Sequence, residues 1–191
     1  MNKFFFILFL LIAGCGLFST REVEPPIDPR SNFTPPTSPN LVMINLQFAI
    51  AEKNTNNYMK CFIDSAFAGT SFRYFADAPT ELQFPVLANW NINSERIYYT
   101  NLVSVTSTES SSNLFLSNDN LITSIDSAIY DADYLLVFNH NRQVTPKTTK
   151  GKLRFVLIPD SRNLWGIKDW YDFKNAPEDT TWSFLKASFV N

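Results

Sequence analysis

The chain begins with an unbroken apolar run, Phe4 to Ala13, behind a single cation at Lys3 and ahead of the small residues Gly14 and Cys15. As a helix such a run rises only about 15 Å, half of the roughly 30 Å hydrocarbon core of a bilayer, so it has the layout of a secretory signal rather than a membrane span. Apolar periodicity then vanishes over residues 16–39, where six of the eleven prolines fall. Proline at that density favours extended backbone and predicts a semi-rigid spacer, reaching about 3.1 Å per residue. From Asn40 the pattern becomes that of a folded domain. Ser38 as N-cap and Pro39 at the first helical position open a helix to about Lys53, with Leu41, Ile44, Phe48 and Ala51, together with Val42, Leu46 and Ala49, at three-and-four spacing. A short second helix carries Tyr58, Cys61 and Phe62, a strand is predicted over Phe67 to Phe75, and a third helix runs from Asn93 or Ser94 to near Thr106.

The second half alternates. Leu114 to Ile122, Asp126 to His140, Lys152 to Ile158 and Leu164 to Phe173 read as strands, and no element is assigned beyond them. Strict alternation in the longest strand puts Asp126, Tyr130, Tyr134 and His140 on one face and Asp131 and Asp133 on the other. Both faces are partly apolar, so periodicity leaves open which one lines an interior, and a bulge near Asp131–Asp133 would exchange them. Helices followed by contiguous strands, without regular alternation, predict an α+β domain over residues 40–191 with an antiparallel sheet.

Composition narrows the chemistry. The 191 residues carry a formal charge of −2, which argues against nucleic acid as a partner. One histidine, His140, and two separated cysteines, Cys15 and Cys61, argue against a zinc site, and no metal ligand set is predicted. Glycine-rich phosphate cradles do not occur, and no cofactor is expected.

Two resemblances refine this picture. Ile12-Ala13-Gly14-Cys15 resembles the lipobox of bacterial lipoproteins, which implies removal of residues 1–14, acylation of Cys15 and a lipid-anchored tether over residues 15–39. Cleavage removes Lys3 and leaves the mature chain at a formal −3, so anchoring falls to the acyl chains rather than to attraction for anionic lipid. Gly16 stands where an aspartate would imply retention at the inner membrane, so the resemblance implies the outer one. The helical hairpin N-L-x-x-A-I-x-E-K-N-x-x-N-Y-x-x-C-F, Asn45 to Phe62, together with LWGIKDWYDF, Leu164 to Phe173, is similar to the nuclear transport factor 2-like superfold and its SnoaL-like group. That resemblance implies a cone in which a curved sheet wraps around N-terminal helices, and it allows a homodimer through the sheet.

Within such a cone Tyr58, Trp90, Tyr98, Asp126, Tyr130, Tyr134, His140, Trp165 and Trp170 are the candidate pocket residues. Each has a plainer role as core, cavity wall or solvated surface. The absence of a convincing acid/base constellation favours a non-catalytic envelope domain that binds a small apolar ligand or a protein partner. The competing expectation is a SnoaL-like lyase, isomerase or hydrolase with Asp126, Asp131 or His140 as general base and a pocket tyrosine as donor.

Overall fold

The computed structural model describes residues 31–190; the signal segment 1–14, Cys15 and the first half of the proline-rich stretch lie outside the described residues. Residues 32–39, predicted as the end of the spacer, instead lie along the domain. Asn32 donates its backbone and side-chain N–H groups to Glu52 Oε1 at 3.0 and 2.9 Å. Thr34 exchanges two hydrogen bonds with the Asn45 amide at 3.0 and 2.7 Å, and the Pro36 carbonyl accepts from Trp165 N at 2.7 Å. The compact unit therefore begins at Asn32. Proline density disguised these residues, because a sequence pattern carries no record of distant partners for backbone carbonyls.

Helix α1, Pro39–Ala51, starts on Pro39 after an extended Ser38, and buries Val42, Leu46, Ala49 and Ile50. Asn54 caps α2, Thr55–Met59, by accepting from Asn57 N. That helix stops short of Cys61 and Phe62, and Phe62 forms a parallel bridge with Ile167. The strand predicted over Phe67 to Phe75 divides into a helical turn, α3 (Ser65–Ala68), and a short strand, β1 (Arg73–Phe75). Asp64 caps the turn on Ala66 N, and Gly69 ends it at φ +66°, a left-handed conformation that glycine adopts without steric cost. Next come α4 (Ala78–Gln83), capped by Asp77, a 3-10 turn over Pro85–Asn89, and α5 (Ile92–Ser104), where Asn91 accepts from both Asn93 N and Ser94 N. Strands β2 (Ser112–Thr123), β3 (Ala128–Phe138), β4 (Thr148–Pro159) and β5 (Trp165–Phe173) follow. The last described element is a helix, α6 (Trp182–Phe189), that the sequence reading did not assign.

The five strands lie in the order β1-β5-β4-β3-β2, antiparallel throughout except that the short β1 runs parallel to β5. In β3 the even-numbered positions from Ala128 to Phe138 are buried against the helices, which resolves the face that alternation left open. Against β4 this strand is regular, pairing Asp131 with Arg154 and Asp133 with Lys152. The irregularity sits across from it, in β2 between Ser117 and Asn120. There Asn118 takes φ +51° and donates to Asp133 Oδ2 at 2.7 Å.

Gly151 allows β3, β4 and β5 to close over Tyr134. A Cβ there would lie 2.4 Å from the Phe173 carbonyl oxygen and 3.0 Å from Tyr134 Oη. Gly151→Ala is expected to cost at least about 2 kcal/mol, read as a lowered urea midpoint. An unchanged midpoint would mean that the strands part without cost.

Candidate functional site

Helix α6 packs against α5 and β4. Trp182, Leu185, Lys186 and Phe189 lie at the i, i+3, i+4, i+7 spacing of one helix face, and all are 0–1% exposed. The lysine in that apolar stripe meets Glu95 of α5, itself 0% exposed, and Nζ contacts both carboxylate oxygens. Glu95 is held from the other side as well, since Tyr58 Oη donates to Oε1 and Trp90 Nε1 to Oε2, each at 2.6 Å. Around Nζ stand the rings of Trp170, Tyr74, Tyr98 and Trp90, with centroids at 3.9, 4.5, 4.9 and 5.3 Å. Burial lowers the Lys186 pKa, while the Glu95 carboxylate pulls it back up. The same burial raises Tyr58, Tyr74 and Tyr98 well above ordinary phenols, so all three act as neutral groups.

A second polar cluster holds the start of α6. Thr181, the residue before the helix, makes no capping hydrogen bond of its own, and its hydroxyl donates to Asp77 instead. The N–H groups of the first turn, which have no partner within the helix, are satisfied from the sheet: Trp182 N donates to Tyr134 Oη at 2.6 Å and Ser183 N to Asp172 Oδ2 at 2.7 Å. Asp172 also accepts from Tyr134 Oη at 2.8 Å and from Ser183 Oγ at 2.5 Å. Burial outweighs these donors and pushes its carboxyl up to about 6. At its far end the helix offers carbonyls to Arg142, which bonds Ser188 O, and to Asn101, which bonds Phe189 O at 2.8 Å.

Of the residues singled out from sequence, Tyr58, Trp90, Tyr98 and Trp170 come together around the Lys186–Glu95 pair, and Tyr134 joins the cluster at the head of α6. The others lie elsewhere. Asp126 is exposed in the β2–β3 turn, bonded to Ser127 Oγ at 3.1 Å. Tyr130 packs against Phe155 at a centroid separation of 6.5 Å. His140 is buried against Phe189 at 5.0 Å, beside the Pro146 carbonyl at 3.2 Å, and burial lowers its pKa. Asp131 faces outward in a bidentate pair with Arg154. Trp165, half buried, borders a cleft of about 780 Å³ on the opposite flank of α2, with Phe33, Phe62, Phe72 and Arg96 among its walls.

Sequence reasoning missed Glu95, Lys186, Asp172 as a cap, and Ser183. A signal for the first two was present: Glu95 lies three residues before Tyr98, and Lys186 interrupts an aromatic stripe, so each is a charge at a core position.

No protein-family model matches this sequence, and no curated protein matches it. Solved structures share its fold. A candidate dehydratase of the nuclear transport factor 2-like family from Streptomyces avermitilis superposes with a TM-score of 0.53 at 10% identity, covering 72% of this chain and 94% of that one. A nuclear transport factor 2-like superfamily protein from Salmonella enterica serovar Typhimurium gives 0.51 at 14% identity, over 72% and 88% of the two chains. A protein of unknown function from Mycobacterium tuberculosis gives 0.52 at 11% identity, over 79% and 90%. The domain has the nuclear transport factor 2-like fold, an α+β cone with a curved sheet, as the resemblance implied. At these identities the likeness is one of fold alone.

Asp172 gives a pH prediction. Its folded pKa of about 6 lies above the unfolded value of about 3.9, so the protonated carboxyl favours the folded state. That contribution, on the order of 3 kcal/mol, is fully present below about pH 4 and is lost as pH rises through about 6. A carbon-13 titration of the Asp172 carboxyl is expected to show a midpoint near 6, and a midpoint below 4 would mean the three donors outweigh burial.

Proposed function

We propose that this is a cell-envelope lipoprotein, acylated at Cys15, whose domain binds a small apolar or amphipathic molecule at its surface and performs no catalysis. The filled interior carries the non-catalytic half of the reading. Chemistry in a cone requires room for a substrate between acid/base groups. Here Trp182 and Lys186 take that room, while Asp172 and Tyr134, the closest approach to an acid/base pair, hold the first turn of α6. The bases a lyase or isomerase would draw on, Asp126, Asp131 and His140, stand respectively in a turn, on the outer sheet face and against Phe189.

The cleft beside Trp165 is the best-supported binding region, because its volume of about 780 Å³ falls in the range of small-molecule sites and its walls mix aromatic and basic side chains. A homodimer through the outer sheet face fits the same reading, since Phe115, Ile122, Ile129 and Leu135 are exposed there. Gly16 after the lipidated cysteine favours the outer membrane.

Two measurements test this reading. Cys15→Ser is expected to move the protein from the membrane pellet to the soluble fraction, and a variant that stays in the pellet would sink the lipoprotein assignment. Trp165→Ala is expected to weaken binding of anilinonaphthalene sulfonate, a fluorescent amphipathic probe, by more than roughly fivefold. Unaltered binding would place the ligand elsewhere.

A further inference from the structure

The two halves of the buried ion pair come from different parts of the fold. Everything that surrounds the Lys186 ammonium belongs to the body: Tyr74 on β1, Trp90 and Glu95 at the start of α5, Tyr98 one turn on, and Trp170 on β5. The ammonium is carried in by the last described helix. The host is also oriented without its guest. Tyr58 and Trp90 each fix one oxygen of Glu95 at 2.6 Å, and Tyr74 Oη lies 3.2 Å from Asp172 Oδ2 on β5. Trp170 is locked edge-on between Phe155 and Tyr74, at centroid distances of 5.1 and 5.4 Å. Four ring faces with a carboxylate at one side form the arrangement by which proteins recognise organic cations, where the π-faces and the anion both favour positive charge.

We propose that Tyr74, Trp90, Tyr98, Trp170 and Glu95 form an alkylammonium-binding site whose resident ligand is the protein's own Lys186. The contact behaves as an intramolecular binding event: α6 is the linker that supplies its ligand at high local concentration. The size of the ligand follows from lysine chemistry. Beyond the Cβ that alanine keeps, lysine contributes three methylenes and an ammonium, so Lys186→Ala leaves a space shaped for n-propylammonium. The site then selects for charge, through Glu95 and the rings, and for length, through the closed floor that Trp170 and Trp182 build edge to face at 4.6 Å.

The test is chemical rescue of Lys186→Ala in the full-length chain. The variant is expected to melt below the parent protein. Propylammonium chloride is expected to raise its Tm saturably, by roughly 3–6 °C at tenfold the dissociation constant, without raising that of the parent. n-Propanol, which matches the shape without the charge, and n-hexylammonium, which exceeds the length, are expected to do much less. Adding Glu95→Gln to Lys186→Ala is expected to abolish the difference between amine and alcohol. Equal rescue by propanol would reduce the site to an apolar hole and overturn the proposal, as would no rescue by the amine. If Lys186→Ala does not fold unaided, refolding yield from urea with propylammonium against propanol makes the same comparison. A yield favouring the amine supports the site, and equal yields reject it.

Discussion

One buried charge pair organises this domain. Lys186 and Glu95 are both sealed from solvent, and neither could be buried alone, since an unpaired charge in a dry interior costs several kcal/mol. Their pairing requires α5 and α6 to lie side by side with one particular rotation each. That requirement places Trp182 between Trp170 and Tyr134, and Phe189 against His140. A wholly apolar contact would hold α6 as tightly, but it would tolerate slippage by a turn. The ion pair does not, because a shifted lysine would leave Glu95 without its cation.

The rest of the interior reads as support for that contact. Tyr134 and Asp172 satisfy the opening N–H groups of α6, and Arg142 and Asn101 take its closing carbonyls, so the eight-residue helix is bound at both ends and in the middle. Such a short helix has little stability of its own in water, and tertiary partners must supply it. The groups that might otherwise serve chemistry are engaged in doing so.

Much of this was legible in the residues. Alternation located β2 to β5, and the Ser38-Pro39 start located α1, because those signals are local. The fold itself was visible in Asn45 to Phe62 and Leu164 to Phe173. Of the predicted pocket, Tyr58, Trp90, Tyr98 and Trp170 do share one space, since large aromatics on inward-facing elements have few other places to go. What escaped was the partner at the centre. Lys186 and Glu95 each fall at a core position in the local pattern, but the pattern does not name a partner, which lies 91 residues away along the chain. The lysine also broke the apolar stripe that would have announced α6. On β5 strict alternation fails, because the adjacent pairs Gly166–Ile167 and Asp169–Trp170 are each buried, with Asp169 paired to Arg73. The register slips by a residue opposite Val156 and Leu157, and no periodic reading anticipates that.

The open sheet leaves two free margins, and they are unequal. On one side β1 has only three residues, too few to template a second chain. On the other, β2 is twelve residues long, the kind of border along which proteins stack into fibrils. Its course is broken by the left-handed Asn118, followed by Asp119 and Asn120, and one of its carbonyls, that of Leu114, is already taken by Gln47 from α1 at 3.1 Å. The bulge therefore does more than adjust the pairing with β3. It denies neighbouring copies a straight edge to extend.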